Sequence, residues 1–395
     1  MQFHMPVKLY FGPGQIDELA RIVKAEFRAE SAVIITDKGV AGTGLLDRVS
    51  AMLQDARVFD TIEANPKSDT INAIADELRE DMPDLVIGLG GGSPLDAGKA
   101  LALLCTNPGQ IEDYEGRKKY KTDPLPFLAI PTTCGTGSEV TWVSVITDVG
   151  RKFKMSIKGP EMYPAVSIVD PDLIATLPKS VIASTGLDAL THAVEAYLSR
   201  PATLITDTQA VRAVQLILGS IETAWADIAV NHEAREELMM GSTIAGFAFG
   251  NSDVTAVHCI SESIGALFDV PHGVANAIFL PEVLAYNLPA CKEKMADLAL
   301  ASGSVVLDEK VSPGDEIPGD EIPEDEIKEG LALAFIDEIR ALSSRLGIPK
   351  FRELNIPEDQ MPAIARMATA NNSNPSNPRD LDEGDYLKIL ENALK

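Results

Sequence analysis

Up to residue 178, short apolar runs alternate with segments whose apolar residues recur every three or four positions. Ala32-Val-Ile-Ile-Thr36, Asp84-Leu-Val-Ile-Gly-Leu89 and Phe127-Leu-Ala-Ile130 are nearly unbroken apolar stretches. That is the pattern of strands buried on both faces of a parallel sheet. Pro6 to Gly12 predicts a short edge strand closed by a Gly-Pro-Gly turn, and residues 56–61 predict another strand. Between them, Ile16, Leu19, Ala20, Ile22 and Val23 fall at helical spacing, and a further helix is expected over 69–79. Such alternation predicts a parallel α/β sheet with helices on both faces.

Past Thr176-Leu-Pro178 the pattern changes. Helical periodicity dominates, over 183–199, 207–224, 233–249 and beyond, and β-branched runs become rare. The chain is expected to divide there into an α/β domain, 1–178, and an all-helical domain, 179–395. One stretch fits neither. Residues 308–330 hold ten acidic side chains against two lysines, and Gly-Asp-Glu-Ile-Pro occurs at 314–318 and again at 319–323. Proline interrupts a helix and the charge opposes burial, so this reads as a solvated surface loop insertion. It lacks the Asp-x-Asp-x-Asp-Gly spacing of a calcium loop.

The chain has 395 residues, 45% of them hydrophobic, enough for two domains with substantial cores. No run of about 18 apolar residues is present, so no transmembrane helix is expected. Met1-Gln-Phe-His-Met-Pro6 lacks a basic region followed by an apolar one, so no secretory signal is expected. A net charge of −25 argues against nucleic acid and anionic membrane as partners. Cys105, Cys134, Cys259 and Cys291 are widely spaced and read as reduced thiols of a cytoplasmic protein.

Two sets of residues carry candidate chemistry. The first is Gly90-Gly-Gly-Ser93, between a predicted strand and helix. Ser93 is placed to cap that helix, Pro94 suits its first turn, and Asp96 stands three residues after the cap. Glycines admit a ligand close to the backbone, and a helix N-terminus offers unpaired N–H groups to a pyrophosphate. The sequence is not Gly-x-Gly-x-x-Gly, and a tight turn without a ligand is the alternative. Thr132, Thr133 and Thr136 offer hydroxyls beside the flexible Gly135/Gly137 loop. Asp37 suits the hydroxyls of a ribose and would repel a 2′-phosphate, favouring NAD over NADP, although Asp37-Lys-Gly39 is also an ordinary turn.

The second set is built from histidine, of which the chain has five. In Gly186-Leu-Asp-Ala-Leu-Thr-His-Ala-Val-Glu195, read as a helix start capped by Ser184 or Thr185, Asp188 and His192 lie one turn apart on one face. Alone, that pair is equally an ordinary acid with a neighbouring histidine. His258 opens a predicted helix, and His272 follows Asp269-Val-Pro271 on a loop or helix start. His4, near the terminus, and His232, in a polar stretch, are set aside. Asp188, His192, His258 and His272 make a three-nitrogen, one-oxygen set suited to Fe2+ or Zn2+ with a position left for substrate.

The chain resembles the iron-containing (group III) alcohol dehydrogenases, whose superfamily also holds glycerol dehydrogenase and dehydroquinate synthase. The resemblance is carried by Gly90-Gly-Gly-Ser-Pro-x-Asp-x-x-Lys99, Pro131-Thr-Thr-x-Gly-Thr-Gly-Ser-Glu139, Gly186-x-Asp-Ala-Leu-Thr-His-Ala-x-Glu195, Val257-His258 and Pro271-His-Gly-Val-Ala-Asn276. Leu346-Gly-Ile-Pro349 and Asn377-Pro-Arg379 extend it to the C-terminal region. It implies a Rossmann-like N-terminal domain and a helical C-terminal domain with the active site between them. It places Asp188, His192, His258 and His272 on metal-ligand positions. It places Asp37, Asn65, Gly91, Gly92, Thr132, Thr133, Val145 and Lys154 on positions that line the dinucleotide.

The implied activity is reversible hydride transfer between NAD(H) and a small primary alcohol or aldehyde; a homodimer or higher homo-oligomer is the default expectation for assembly. Many members carry a second histidine four residues after the position of His258, where this chain has Glu262, and a commonly Gly-rich segment reads Asp253-Val-Thr255. His272 and Glu262 are the candidates to share proton transfer with water, Glu262 by position alone. A Zn2+ polyol dehydrogenase is the nearest alternative. A dehydroquinate-synthase-like lyase is disfavoured because the segments around the metal motifs are poor in Lys and Arg. The complete ligand set speaks against a metal-free maleylacetate reductase or a non-enzymatic scaffold.

Overall fold

The computed structural model describes residues 3–53, 56–303 and 323–395. In chain order its first part comprises β1 (Lys8–Phe11), α1 (Leu19–Glu26), β2 (Ala32–Ile35), α2 (Lys38–Ala41), α3 (Leu45–Met52), β3 (Arg57–Phe59), α4 (Ser68–Glu80), β4 (Leu85–Gly90) and α5 (Gly92–Thr106). It continues with β5 (Gly116–Arg117), β6 (Phe127–Pro131), β7 (Val143–Asp148), β8 (Phe153–Lys158) and β9 (Val166–Val169). Six strands form one parallel sheet in the order β1-β9-β6-β4-β2-β3. The apolar runs explain it. Successive side chains of a strand point to opposite faces. Val33, Ile35, Val86 and Ala129 enter one core, while Ile34, Ile87, Leu89, Leu128 and Ile130 enter the core on the other face. α5 lies close on the sheet because Gly88 and Gly98 both abut the Phe127 ring, where an added Cβ would approach it to 2.7 and 2.5 Å.

Strand order reverses between β2 and β4, which places a crevice at the C-terminal ends of β2, β4 and β6. Gly90 pairs with Pro131 across β4 and β6, so Gly91-Gly92 and Thr132-Thr133 emerge side by side. A second, three-stranded sheet of β5, β8 and β7 was not anticipated from sequence. In β7 the buried positions are Ser144, Ile146 and Asp148, so polar residues face inward and conceal the strand periodicity.

Helices make up the remainder: α6 (Lys179–Leu198), α7 (Leu204–Ala226), α8 (His232–Ser252), α9 (Ala256–Phe268), α10 (His272–Ser302), α11 (Glu324–Arg345), α12 (Met361–Ala370) and α13 (Glu383–Ala393). α6 is central, packing against α7, α8 and α10. Leu187, Leu190 and Val194 are fully buried along it, and each such side chain contributes about 1.5–3 kcal/mol. The sequence expectation for its start requires correction. α6 begins seven residues before Gly186, after Pro178, and Ser184 and Thr185 lie inside it with hydroxyls bonded back to Val181 O. α10 is long and apolar enough to cross a membrane by length and composition. It contains Pro281 and Pro289 and packs against α6, α7, α9 and α11 as a core helix. Of the acidic stretch, 308–322 lies outside the described residues. Residues 324–330 open α11 rather than a loop, with Glu324, Asp325 and Glu326 in its first turn, where acids favour a helix.

Candidate active site

The N-terminus of α5 faces a cleft of about 780 Å³ between the sheet and the helices. Its N-cap is Gly91, without a side-chain cap, so first-turn N–H groups stay open to an anion. This corrects the capping expectation for Ser93, which lies in the first turn and lines the cleft. Asp96 is no cap partner either. Its carboxylate accepts from Ser138 Oγ (2.6 Å) and Val145 N (2.9 Å). A Cβ at Gly92 would stand 2.5 Å from Thr136 Cγ2, and one at Gly91 3.2 Å from Thr133. A larger side chain would therefore fill this cradle, as expected of a surface kept bare for a ligand. Asn65, Gly92, Ser93, Thr136, Val145 and Lys154 line the cavity. Asp37, Gly91, Thr132 and Thr133 adjoin it without being among the lining residues. Asp37 caps α2 by accepting from Val40 N (2.9 Å), and Thr132 N–H donates to Gly90 O (2.9 Å).

At the other wall of the cleft the candidate metal residues meet. Asp188, His258 and His272 place ligand atoms within 4.8 Å of one another. His192 joins through His258, their Nε2 atoms 3.0 Å apart. The local folding is specific. Gly273 lets the start of α10 rest on α6, where a Cβ would meet Ser184 O at 2.3 Å and Asp188 Cβ at 3.2 Å. Phe249 stacks on the His192 ring at 4.3 Å between centroids.

The electrostatics suit a cation. Burial, reinforced by His258, holds His192 well below the ordinary imidazole range, and burial with Lys154 does the same for His272. Both rings are therefore neutral, the form that ligates metal. Burial pushes the Asp188 carboxyl up to about 6 against the pull of His258. His192 Nδ1 is buried without a hydrogen-bond partner among the described residues. Asn276 Nδ2 faces Asp188 Oδ1 (2.6 Å), His258 Nε2 (3.2 Å) and His272 Nε2 (3.2 Å). Its two protons cannot serve three acceptors, and its own Oδ1 is buried without a partner. An electron-rich cluster short of positive charge is what a divalent ion would complete, so the residues fit that group.

Some residues of the site went unnoticed at the sequence level. Glu195 sits behind His258, with its Oε2 2.5 Å from His258 Nδ1. Its spacing from Asp188 and His192 was a usable signal, as was the position of Asn276 one turn after His272. Asn371 left no signal. It donates to Glu262 Oε2 at 2.6 Å from 109 residues away. Glu262 lines the cleft one turn after His258 on α9. Asn65, held by Lys154, reaches across it to α9. Lys154 Nζ donates to Asn65 Oδ1 (2.6 Å), and Asn65 Nδ2 donates to Asp269 Oδ1 (2.7 Å) at the end of α9.

A bare-backbone cradle at a parallel-sheet crevice, facing a three-nitrogen, one-oxygen cluster across one cleft, defines a nucleotide-linked metal oxidoreductase. Comparison with known proteins gives the family. The family model described as "Iron-containing alcohol dehydrogenase" matches residues 6–171, and "Fe-containing alcohol dehydrogenase family, C-terminal" matches 182–394. A 1,3-propanediol dehydrogenase of Citrobacter freundii is 36% identical over 393 residues, covering 98% of this chain and 96% of that protein. An NAD-dependent methanol dehydrogenase of Bacillus methanolicus is 33% identical over 402 residues, covering 99% of each. The solved alcohol dehydrogenase from Oenococcus oeni superposes with a TM-score of 0.90 at 32% identity, covering 99% of each chain. The chain belongs to the iron-containing alcohol dehydrogenase family. It is a metal-dependent, NAD-linked oxidoreductase acting on alcohols and aldehydes.

Proposed function

We propose that hydride passes reversibly between NAD(H) and a small primary alcohol or aldehyde in the cleft between α5 and the Asp188 cluster, with Asp188, His192, His258 and His272 as the ligands of the metal. The observation that carries this is the convergence of Asp188, His258 and His272, with His192 against His258, where the three histidines line the cleft that the cradle opens into. A divalent ion there supplies Lewis-acid polarisation of the substrate oxygen, and the nicotinamide supplies the hydride carrier. The chain's own residues do the rest. Gly91, Gly92, Ser93 and the first turn of α5 receive the pyrophosphate, with Thr132, Thr133 and Thr136 as the facing wall. Asp37 receives the ribose hydroxyls and selects NAD. Asn65, Val145 and Lys154, which line the cavity, would line the dinucleotide. Glu262, held through Oε2 by Asn371, exchanges a proton with water at its carboxylate, and His272, also on the cleft, shares that transfer.

The ligand set is compatible with Zn2+ as well as Fe2+, and the family favours iron. The four buried free thiols support residence in a reducing, cytoplasmic compartment. A homodimer is the proposed assembly, supported by β1 standing at a sheet edge with one side unpaired among the described residues. The proposed division of the chain near residue 178 is supported by the change there from sheet to helices.

An anaerobic assay over short alcohols, diols and aldehydes, with NAD or NADP and Fe2+ or Zn2+ restored, tests the activity. NAD-linked turnover of primary alcohols is expected. Turnover only with NADP would overturn the role of Asp37. In the same assay Glu262→Gln is expected to lower turnover and shift its pH profile, and an unchanged profile would remove Glu262 from the proton path.

A further inference from the structure

Asp188, His192 and Glu195 follow one another at four and three residues, so all three share one face of α6. The first two face the cluster. Glu195, 2% exposed, turns its carboxylate to the start of α9. Oε1 accepts from Val257 N–H (2.8 Å) and from the Thr255 hydroxyl (2.5 Å), while Oε2 meets His258 Nδ1 at 2.5 Å. Two donors converge on Oε1, which leaves Oε2 as the acceptor that faces the His258 ring.

We propose that Glu195 is a positioning residue for metal binding: it fixes His258 as the tautomer protonated at Nδ1 and so presents the Nε2 lone pair to the cluster. The inference rests on the metal reading above and goes beyond it, because Glu195 is not a ligand. His258 Nδ1 has to donate, since its partner can only accept. In a neutral ring Nε2 is then unprotonated, and it faces His192 Nε2 and Asn276. The same carboxylate holds the first turn of α9, so ring and backbone are fixed together. Carboxylates placed behind a ligating histidine in this way typically contribute about 10–100-fold to metal affinity.

Glu195→Gln tests it with almost no change of shape. A Gln amide turns a donor either toward His258 Nδ1, which forces the proton to Nε2, or toward Val257 N–H, which breaks the helix contact. Thr255→Val is the control, since it removes one bond to Glu195 and leaves His258 untouched. Two readouts apply, neither of them turnover. One is Co2+ affinity of the metal-free chain by chelator competition. The other is the 15N spectrum of histidine-labelled, metal-free protein followed to alkaline pH, which reports the tautomer of the neutral ring. Expected results are Nδ1–H for His258 in the wild type, Nε2–H in Glu195→Gln, and a Co2+ affinity about 10–100-fold weaker in that variant. Thr255→Val is expected to stay near wild type. Equal affinity in Glu195→Gln and wild type, or equal losses in both variants, would reduce Glu195 to a helix clamp. A neutral His258 ring protonated at Nε2 and bare at Nδ1 in the wild type would overturn the proposal without any variant. A wild-type chain that binds no Co2+ would overturn the metal reading itself, and this inference with it.

Discussion

Lys99 shows how far burial reaches at single residues near the cleft. Its ammonium is 1% exposed and donates to Ser138 Oγ (2.8 Å) and Val143 O (2.8 Å). Burial pulls it from 10.5 to about 8, against the attraction of Asp96 and Glu139. A lysine whose folded pKa lies below its unfolded value costs stability while both states are charged. That cost is full below about 8 and is relieved as pH rises from there toward 10.5, where the folded chain has released a proton the unfolded chain keeps. The stability of wild type relative to Lys99→Met, from urea midpoints, is therefore expected to rise between about pH 8 and about pH 10. A difference that does not vary with pH would contradict the shift. At this scale the site was partly legible in the sequence. Few histidines meant few combinations, and Asp188, His192, His258 and His272 could be grouped before any fold was known. Glu195 and Asn276 sat in the same motifs without a role, because a hydrogen bond across helices is invisible in a linear pattern. Asp96 was misread as a cap partner for the same reason, its partners Ser138 and Val145 coming from another loop and strand.

Among the elements, the crossing of α10 over α6 decides the cluster, since it brings His272 to Asp188. Gly273 makes that crossing possible. Alanine would raise helix propensity there by about 1 kcal/mol. Its Cβ, however, would meet a backbone oxygen at 2.3 Å, and overpacking of that kind costs about 1–3 kcal/mol. The clash is with backbone and not with a movable side chain, so it should win. Gly273→Ala is expected to lower the melting temperature and weaken Co2+ binding together, and a variant with both at wild-type levels would show that the crossing tolerates displacement. Elements with long apolar runs, such as β2, β4 and β6, were legible because burial on both faces leaves no other reading. The start of α6 was not. Gly186 looked like a boundary, yet it lies within the helix, where a Cβ would press on Ile221 Cδ1 at 2.7 Å. Packing, not local punctuation, placed that glycine.

For the molecule as a whole, the cleft combines two surfaces that neither part of the chain supplies alone. The sheet provides the bare backbone at α5, the helices provide the buried cluster, and Asn65, held by Lys154, bonds Asp269 across the opening. The change of pattern near residue 178 is visible in the sequence, whereas the bond from Asn65 to Asp269 across the cleft depends on side chains 204 residues apart. Gly137 and Gly246 show the same dependence, meeting so closely that a Cβ on the first would stand 2.7 Å from the Cα of the second. The central claim is that hydride transfer to NAD depends on a metal held at Asp188, His192, His258 and His272. It is tested most directly by stripping the metal anaerobically, titrating Fe2+ back and following NADH formation from a short primary alcohol. Activity near zero in the stripped chain, rising to a plateau at one ion per chain, is the expected result; undiminished NADH formation without metal would contradict it.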